Sequence, residues 1–245
     1  MANYAFMDVA REAGLSDSEI AALVVAYEDY NYDEDEILEM IENGNVTTYG
    51  GFYDYGENVD LGDMDFYVFD SYDDAYAGAK ESIIDLFDDI GIEGFNVNIE
   101  DYVDSDWFYD AMRESQEFYL NDLSPEELFE TAYDNGFLDE SDFDTDEDGD
   151  IDFSSCNRDF DDVAERMLED WEEAHDEADA VQDYIDNFGT EDFNYVVKKN
   201  NLIDVDRLAE DCIDVDGVAL TIASYDSYEH EVDIDGVDYY VYRHN

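Results

Sequence analysis

The chain has 245 residues, of which 73 are Asp or Glu and only nine are Lys or Arg, so its formal net charge at pH 7 is -64. This charge argues against direct binding to nucleic acid or to an anionic membrane surface, because like charges repel. A hydrophobic content of 45%, with 21 Tyr and 15 Phe, supplies a packed core and argues against global disorder. We therefore expect a folded polyanion whose partners are cations or basic proteins.

The N-terminal residues include no apolar run typical of a signal peptide, and no later segment approaches the length of a membrane span. We therefore expect a cytoplasmic protein. The two cysteines, Cys156 and Cys212, lie far apart in the sequence and do not form the pattern of a disulfide framework. We interpret them as free structural thiols.

Helix signals are clear near the N-terminus. Ser16 and Glu19 form a capping box, and the apolar residues that follow recur on one helical face. A second short helix follows and ends at Gly44. Glycines then mark a loop or hairpin, and the aromatic and β-branched residues of segment 64–70 predict a strand.

Three further helices are predicted in the middle of the chain. Apolar spacing predicts the first over residues 73–89 and the second over about 105–120. The third begins at Ser124, with Pro125 in the first helical position, and ends near Gly136.

Residues 159–188 carry the most regular pattern. Apolar residues spaced alternately four and three apart predict a single heptad helix roughly 43 Å long. The seam consists of Phe160, Ala164, Met167, Trp171, Ala174, Ala178, Val181, Ile185 and Phe188. Acidic residues flank this seam and would repel a parallel copy, which favours packing on the same chain over packing on a twin.

The C-terminal part predicts a helix over residues 204–212, a strand over 218–223 and a hairpin over 231–242. The hairpin signal is strong because Asp235 and Gly236 separate two alternating apolar runs. Together the elements predict an α+β fold that is mostly helical, elongated and multi-domain, with small antiparallel sheets and an acidic surface. The predicted domains are an N-terminal helical domain (1–47), an α/β domain (48–122), an acidic segment with the heptad helix (123–190) and a C-terminal α+β domain (191–245).

One local motif resembles a metal site. Its oxygen ligands and the glycine at position six follow the spacing of an EF-hand calcium loop. The candidate ligands are Asp144, Asp146, Asp148, Asp150 and Asp152. Ser155 stands where an EF-hand has its bidentate Glu, so both weak calcium binding and a simple acidic turn stay open. The sequence predicts no other cofactor.

The acidic surface is the strongest functional candidate. The sequence has no nucleophile elbow, Walker loop, zincin motif or dinucleotide fingerprint, and we predict that the protein is not an enzyme. At the charge density of B-DNA, 64 charges correspond to roughly 110 Å of duplex. We predict that carboxylates of the heptad helix bind a basic partner: Asp159, Asp162, Glu165, Glu169, Asp170, Glu172, Glu173, Asp176, Glu177 and Asp179.

Three segments carry a resemblance to a known family. They are AALVVAYEDYNYDEDEILEMIENG from Ala21, IEDYVDSDWFYDAMRES from Ile99 and DYYVYRHN from Asp238. On these segments the chain resembles the antirestriction family ArdA, the DNA-mimicking proteins of phages and mobile elements. The resemblance implies an elongated α+β molecule, often a dimer, that imitates bent DNA and blocks type I restriction–modification enzymes. It carries over no active-site residues, because the activity of that family is spread over surface carboxylates.

Other hypotheses stay open. CRISPR effectors, recombination nucleases and RNA polymerase also present basic grooves that a DNA mimic could fill. A calcium-binding or calcium-buffering protein would use the acidic loop. Adaptation to high salt would explain an acidic surface, although the acid excess and the aromatic content here exceed what that adaptation requires.

Overall fold

The structure, a computed structural model, describes residues 4–146 and 148–245. The chain divides into two compact units. Unit 1 combines the N-terminal residues up to Gly94 with Val205–Asn245, and unit 2 is Phe95–Asp204. The four predicted domains do not coincide with these units, because the C-terminal strands pair with the N-terminal ones.

Helices and strands together give an α+β fold, as predicted. The helices of the described chain are α1 (Ala5–Ala13), α2 (Asp17–Asp29), α3 (Glu34–Asn43), α4 (Tyr72–Ile90), α5 (Ser105–Asp122), α6 (Pro125–Asp134), α7 (Phe160–Ala174), α8 (Ala180–Phe188), α9 (Thr190–Asn200), α10 (Val205–Asp216) and α11 (Val218–Ile222). The strands are β1 (Thr47–Phe52), β2 (Gly56–Asp60), β3 (Asp65–Phe69), β4 (Asp144–Thr145), β5 (Ile151–Asp152), β6 (His230–Ile234) and β7 (Val237–Arg243). In the part of the chain that the structure describes, no helix combines the length and the apolar character needed to cross a membrane.

Unit 1 is built on an antiparallel sheet with the strand order β1-β2-β3-β7-β6. One face packs against α2, where Phe66 and Val241 join the core formed with α1 and α3. The other face carries Phe69 and Tyr242 and packs against α4. Gly78 on α4 permits this approach, since a Cβ atom there would lie 2.9 Å from the Phe52 ring. Helices α10 and α11 cover α4.

The hairpin between β6 and β7 has the predicted turn. Ile234 pairs with Val237, so only Asp235 and Gly236 form the loop. Both residues have positive φ angles, 57° and 91°, which a two-residue hairpin turn of this hand requires. The capping box at Ser16 and the helix start at Ser124, with Pro125 in the first helical position, are likewise confirmed.

Unit 2 contains α5 to α9 and the short β4-β5 hairpin. Backbone hydrogen bonds join the N-terminal and C-terminal segments of unit 2. The Asp104 amide donates to the Leu202 carbonyl, and the Asp204 amide donates to the Tyr102 carbonyl. One part of its core lies between α5, α6 and α7, and the aromatic rings of α5, α8 and α9 form another.

The predicted continuous heptad helix is wrong. Helix α7 ends at Ala174, His175 adopts an extended backbone, and α8 begins only at Ala180. The Asp176 carboxylate accepts hydrogen bonds from the amides of Ala178 and Asp179, a local turn that competes with helical hydrogen bonding. Packing on the same chain is what the structure shows, because α7 contacts α5 and α6 while α8 contacts α5 and α9.

The predicted strand over residues 218–223 is also wrong, since Val218–Ile222 forms α11. Its buried residues Val218 and Ile222 are four apart, which is a helical spacing. A short apolar run does not distinguish a buried strand from a buried helix by periodicity alone, and here packing on α4 decides.

Candidate functional site

The predicted acidic residues of segment 159–179 lie at the surface. All are exposed except Glu172, which is half-buried. The exposed members are Asp159, Asp162, Glu165, Glu169, Asp170, Glu173, Asp176, Glu177 and Asp179. Glu172 accepts a hydrogen bond from Nε of Arg113 at 2.5 Å, so it links α7 to α5.

Helix α7 is packed against the core of unit 2 along one side and exposes its carboxylates on the other. Its packed side carries Val163, Ala164 and Met167, which are buried in a core with Leu120 and Leu128. This burial holds the helix in one orientation, and its acidic side faces solvent. Asp159 fixes the start of the helix, since its carboxylate accepts the amide hydrogen of Asp161.

The charge density of α7 approaches that of one DNA strand. The helix contains seven acidic residues and one basic residue, Arg166. Its 15 residues span about 22 Å. The net charge is therefore about one per 3.7 Å, close to the one phosphate per about 3.4 Å along a strand of B-DNA. Glu165, Glu169 and Glu173 follow one another at successive turns along one stripe.

The break after α7 places acidic groups close together. Repulsion from Asp106 is the main reason why the pKa of Glu177 is raised, and burial and the charges of Asp176 and Asp110 add to it. Asp106 and Asp110 belong to α5, so carboxylates from two segments converge here. The heptad prediction missed this convergence, because a continuous helix would have kept Glu177 on its own surface.

Several of the few cations are already bound by carboxylates. Lys80 lies 2.8 Å from both Asp206 and Glu210, and these hydrogen bonds raise its pKa. Arg158 donates to the buried carboxylate of Asp142 at 2.6 Å. With nine Lys and Arg against 73 Asp and Glu, such pairs compensate only a small part of the acidic charge.

Tyrosine hydroxyls take the place of cations at many carboxylates of unit 1. Each of these hydroxyls donates a hydrogen bond to one carboxylate and adds no positive charge. The pairs are Tyr4 with Glu28, Tyr30 with Asp226, Tyr32 with Asp63, Tyr53 with Asp85 and Tyr242 with Glu229. Burial and the hydrogen bond from Tyr32 to Asp63 raise the pKa of Tyr32 to about 12, so this donor stays protonated at physiological pH.

A buried histidine links two elements of unit 1. Nδ1 of His230 lies 2.8 Å from the Asp29 carboxylate, and Nε2 lies 3.1 Å from the Tyr30 hydroxyl. Both ring nitrogens are therefore occupied, and the side chain ties β6 to the end of α2. This arrangement leaves no free nitrogen for proton transfer to a ligand.

No protein-family model matches the sequence, and neither the curated proteins nor the solved structures include a match. Membership of the ArdA family therefore stays a prediction, which rests on the three sequence segments alone. The first segment, from Ala21, covers most of α2 together with α3. The second, from Ile99, covers α5 up to Ser115, and the third, from Asp238, covers most of β7 and the C-terminus.

The acidic loop between Asp144 and Ser155 is a hairpin closed by its own hydrogen bonds. An oxygen of Asp146 accepts the amides of Asp148 and Asp150, at 2.9 and 3.0 Å. The Ser155 hydroxyl accepts the Asp144 amide at 2.7 Å and donates to a backbone carbonyl. These bonds support the acidic-turn interpretation.

The flanks of this loop differ from an EF-hand. Single 3-10 turns, Glu140–Asp142 and Phe153–Ser155, stand where an EF-hand has long helices. Among the described residues, which omit Glu147 of the loop, no group of three or more His, Cys, Asp or Glu is arranged to hold a metal ion. Calcium binding by Asp144, Asp146, Asp148, Asp150 and Asp152 stays a prediction.

Proposed function

We propose that this protein is a DNA mimic that occupies the DNA-binding groove of a host defence enzyme, with a type I restriction–modification enzyme as the first candidate. The observation that carries the proposal is α7, whose exposed carboxylates approach the charge density of a DNA strand on a helix that is packed along its other side. The protein would act in the cytoplasm of an infected or recipient bacterial host.

Binding would follow the physics of DNA binding. Carboxylates of the inhibitor would neutralise Lys and Arg side chains of the enzyme and release the counterions that both surfaces hold. Affinity would therefore fall steeply as salt rises, and duplex DNA would compete for the same groove. No covalent chemistry is involved, so the protein needs no nucleophile, acid or base.

Rigidity separates this function from a general attraction to cations. A disordered polyanion loses conformational entropy when it binds, whereas a preorganised one does not. Tyr32 and Tyr242 hold their carboxylate partners without neutralising them, and buried apolar residues hold α7. The surface therefore presents fixed negative charge, as a phosphate backbone does.

The other DNA-dependent enzymes offer the same kind of groove. CRISPR effectors, nucleases and RNA polymerase bind DNA through Lys and Arg, and the same carboxylates would fit them. Binding to any of these enzymes would use the same chemistry as binding to a type I restriction enzyme. Inhibition measured side by side on these enzymes identifies the target.

Matched charge-removing variants test the proposal. The α7 variant carries Glu165→Gln, Glu169→Gln, Asp170→Asn and Glu173→Gln. The control variant carries Asp8→Asn, Glu12→Gln, Glu39→Gln and Glu42→Gln, which removes the same charge from exposed positions of α1 and α3.

The measurement is the concentration of each variant that halves DNA cleavage by a type I restriction enzyme. We expect the α7 variant to inhibit about thirtyfold more weakly, since four ion pairs at about 0.5 kcal/mol each amount to about 2 kcal/mol. The control should lose less than about threefold. Equal losses would mean that total charge, and not the α7 surface, determines inhibition. Wild-type protein that inhibits none of the DNA-dependent enzymes would refute the proposed function.

A further inference from the structure

A groove with an apolar floor runs between α5 and α7 in unit 2. Half-buried Leu168 of α7 lies at its floor, above the buried side chains of Leu120 and Ala164, and its volume is about 480 Å³. This volume lies within the range of sites that hold small ligands or inserted side chains. A flat row of carboxylates would offer no such floor.

Acidic side chains form the walls of the groove. Glu117 stands on the α5 side, and Asp161, Glu165 and Glu169 stand on the α7 side. Within the described ranges, 4–146 and 148–245, no Lys or Arg lies within ion-pairing distance of Asp161, Glu165 or Glu169. These three carboxylates therefore face the groove uncompensated.

Arg113 belongs to the same groove but is already neutralised. Its guanidinium donates to Glu172 at 2.5 Å and to Glu117 at 3.3 Å, and the hydrogen bond with Glu172 raises its pKa. The ion pair between Arg113 and Glu172 thereby links α5 to α7 and stabilises the two walls of the groove. The remaining α7 carboxylates of the groove, Asp161, Glu165 and Glu169, therefore favour a positively charged ligand.

Arginine and lysine side chains combine the two properties that this groove selects. Their methylene stems cover apolar surface while their charged heads remain with polar groups. A guanidinium also forms two parallel hydrogen bonds with one carboxylate. Glu165 and Glu169 lie one helical turn apart, about 5–6 Å between Cβ atoms, so two cationic heads can be held side by side.

We propose that the α5–α7 groove receives arginine or lysine side chains of the basic partner protein. The inference rests on the proposed function. It adds that side chains of the partner enter the groove between α5 and α7, beyond the contact between two charged surfaces. Charge complementarity identifies the occupant, because an anionic or apolar segment would leave the wall carboxylates desolvated and unpaired.

Binding of a fluorescein-labelled hexa-arginine peptide, followed by anisotropy, tests the groove without the enzyme. The groove variant is Glu165→Gln with Glu169→Gln. The matched control is Asp170→Asn with Glu173→Gln, which removes two exposed charges from the same helix outside the groove. Both variants have the same net charge, so a difference between them reports position.

We expect the groove variant to bind the peptide about tenfold more weakly than wild type, and the control less than about threefold more weakly. A third variant, Leu168→Asn, changes the floor without changing charge and should also weaken binding, with the thermal unfolding midpoint confirming that it is folded. Equal losses in the groove and control variants, or no binding of the peptide by wild type, would overturn the inference.

The failure of this inference and the failure of the proposed function give different results. If the groove is irrelevant but the function is right, the groove and control variants lose inhibition of the restriction enzyme equally. If the function is wrong, the wild type fails to inhibit any DNA-dependent enzyme, whatever the peptide result.

Discussion

The hydroxyl of Tyr32 lies 2.7 Å from both carboxylate oxygens of Asp63. A tyrosine in this position holds Asp63 with a hydrogen bond and adds no positive charge. The chain has 73 acidic and nine basic residues, so most carboxylates cannot form an ion pair. Tyrosine hydroxyls provide some of them with a neutral hydrogen-bond donor instead.

Replacing Tyr32 with Phe removes the hydrogen bond and leaves the net charge unchanged. We expect Tyr32→Phe to lower the free energy of unfolding by about 1 kcal/mol, the usual net contribution of one hydrogen bond. Urea unfolding measures it. Tyr195→Phe is the control, because that side chain is 60% exposed, and it should change the free energy of unfolding by less than about 0.5 kcal/mol. An equal effect of the two substitutions would contradict a specific role of the Tyr32–Asp63 bond.

Alkaline pH should weaken unit 1 through its tyrosines. Burial, hydrogen bonds to carboxylates and the charges of nearby carboxylates raise the pKa of Tyr4, Tyr32 and Tyr53 to about 12. A raised pKa in the folded state means that the stabilisation is complete below about pH 10, the unfolded value, and is lost as pH rises towards about 12. The free energy of unfolding, measured from pH 8 to 12, should fall in that window. The fall should be smaller in Tyr32→Phe, and an identical slope in wild type and variant would contradict this assignment.

Among the described residues, Asp142 forms an ion pair with one cation, Arg158. The Asp142 side chain is 7% exposed and accepts hydrogen bonds from Arg158 and from the Asp139 amide, so Arg158→Met would leave the buried carboxylate without its cation. We expect a loss of about 1–3 kcal/mol in the free energy of unfolding. Asp142→Asn combined with Arg158→Met should recover part of it. Arg166→Met is the control, since Arg166 is exposed and forms no ion pair with another described residue, and it should have little effect.

Salt should act on stability and on partner binding with opposite signs. Repulsion among the carboxylates opposes folding, so screening by added NaCl should raise the thermal unfolding midpoint. Added salt should also weaken the complex with a basic partner, since the release of bound counterions gains less entropy in a more concentrated salt solution. Unfolding scans and binding titrations over one series of NaCl concentrations measure both. Two effects of the same sign would contradict a polyanionic binding surface.

Local signals predicted much of the fold. The capping residues Ser16 and Ser124 marked the starts of α2 and α6, and the pair Asp235 and Gly236 marked the turn of the C-terminal hairpin. These features succeed because a few adjacent residues determine them. The exposed carboxylates of α7 were predicted in the same way, from the polar face of a helical pattern.

Non-local features were not predictable. The turn at Asp176 interrupts the heptad seam, and the seam pattern continues across it without any sign of the break. The composite unit 1 depends on the pairing of β7 with β3, whose paired residues lie 171 to 177 positions apart in the sequence. The tyrosine–carboxylate pairs join residues up to 196 positions apart, as with Tyr30 and Asp226, and no spacing rule connects them.

Competition with duplex DNA tests the central claim most directly. A labelled duplex of about 30 base pairs, which carries about as many charges as the protein, is bound to a type I restriction enzyme at low salt and titrated with the protein. DNA mimicry predicts complete displacement of the duplex and an apparent affinity that falls in proportion to the duplex concentration. A ternary complex of enzyme, duplex and protein, or no displacement at low salt, would contradict the account.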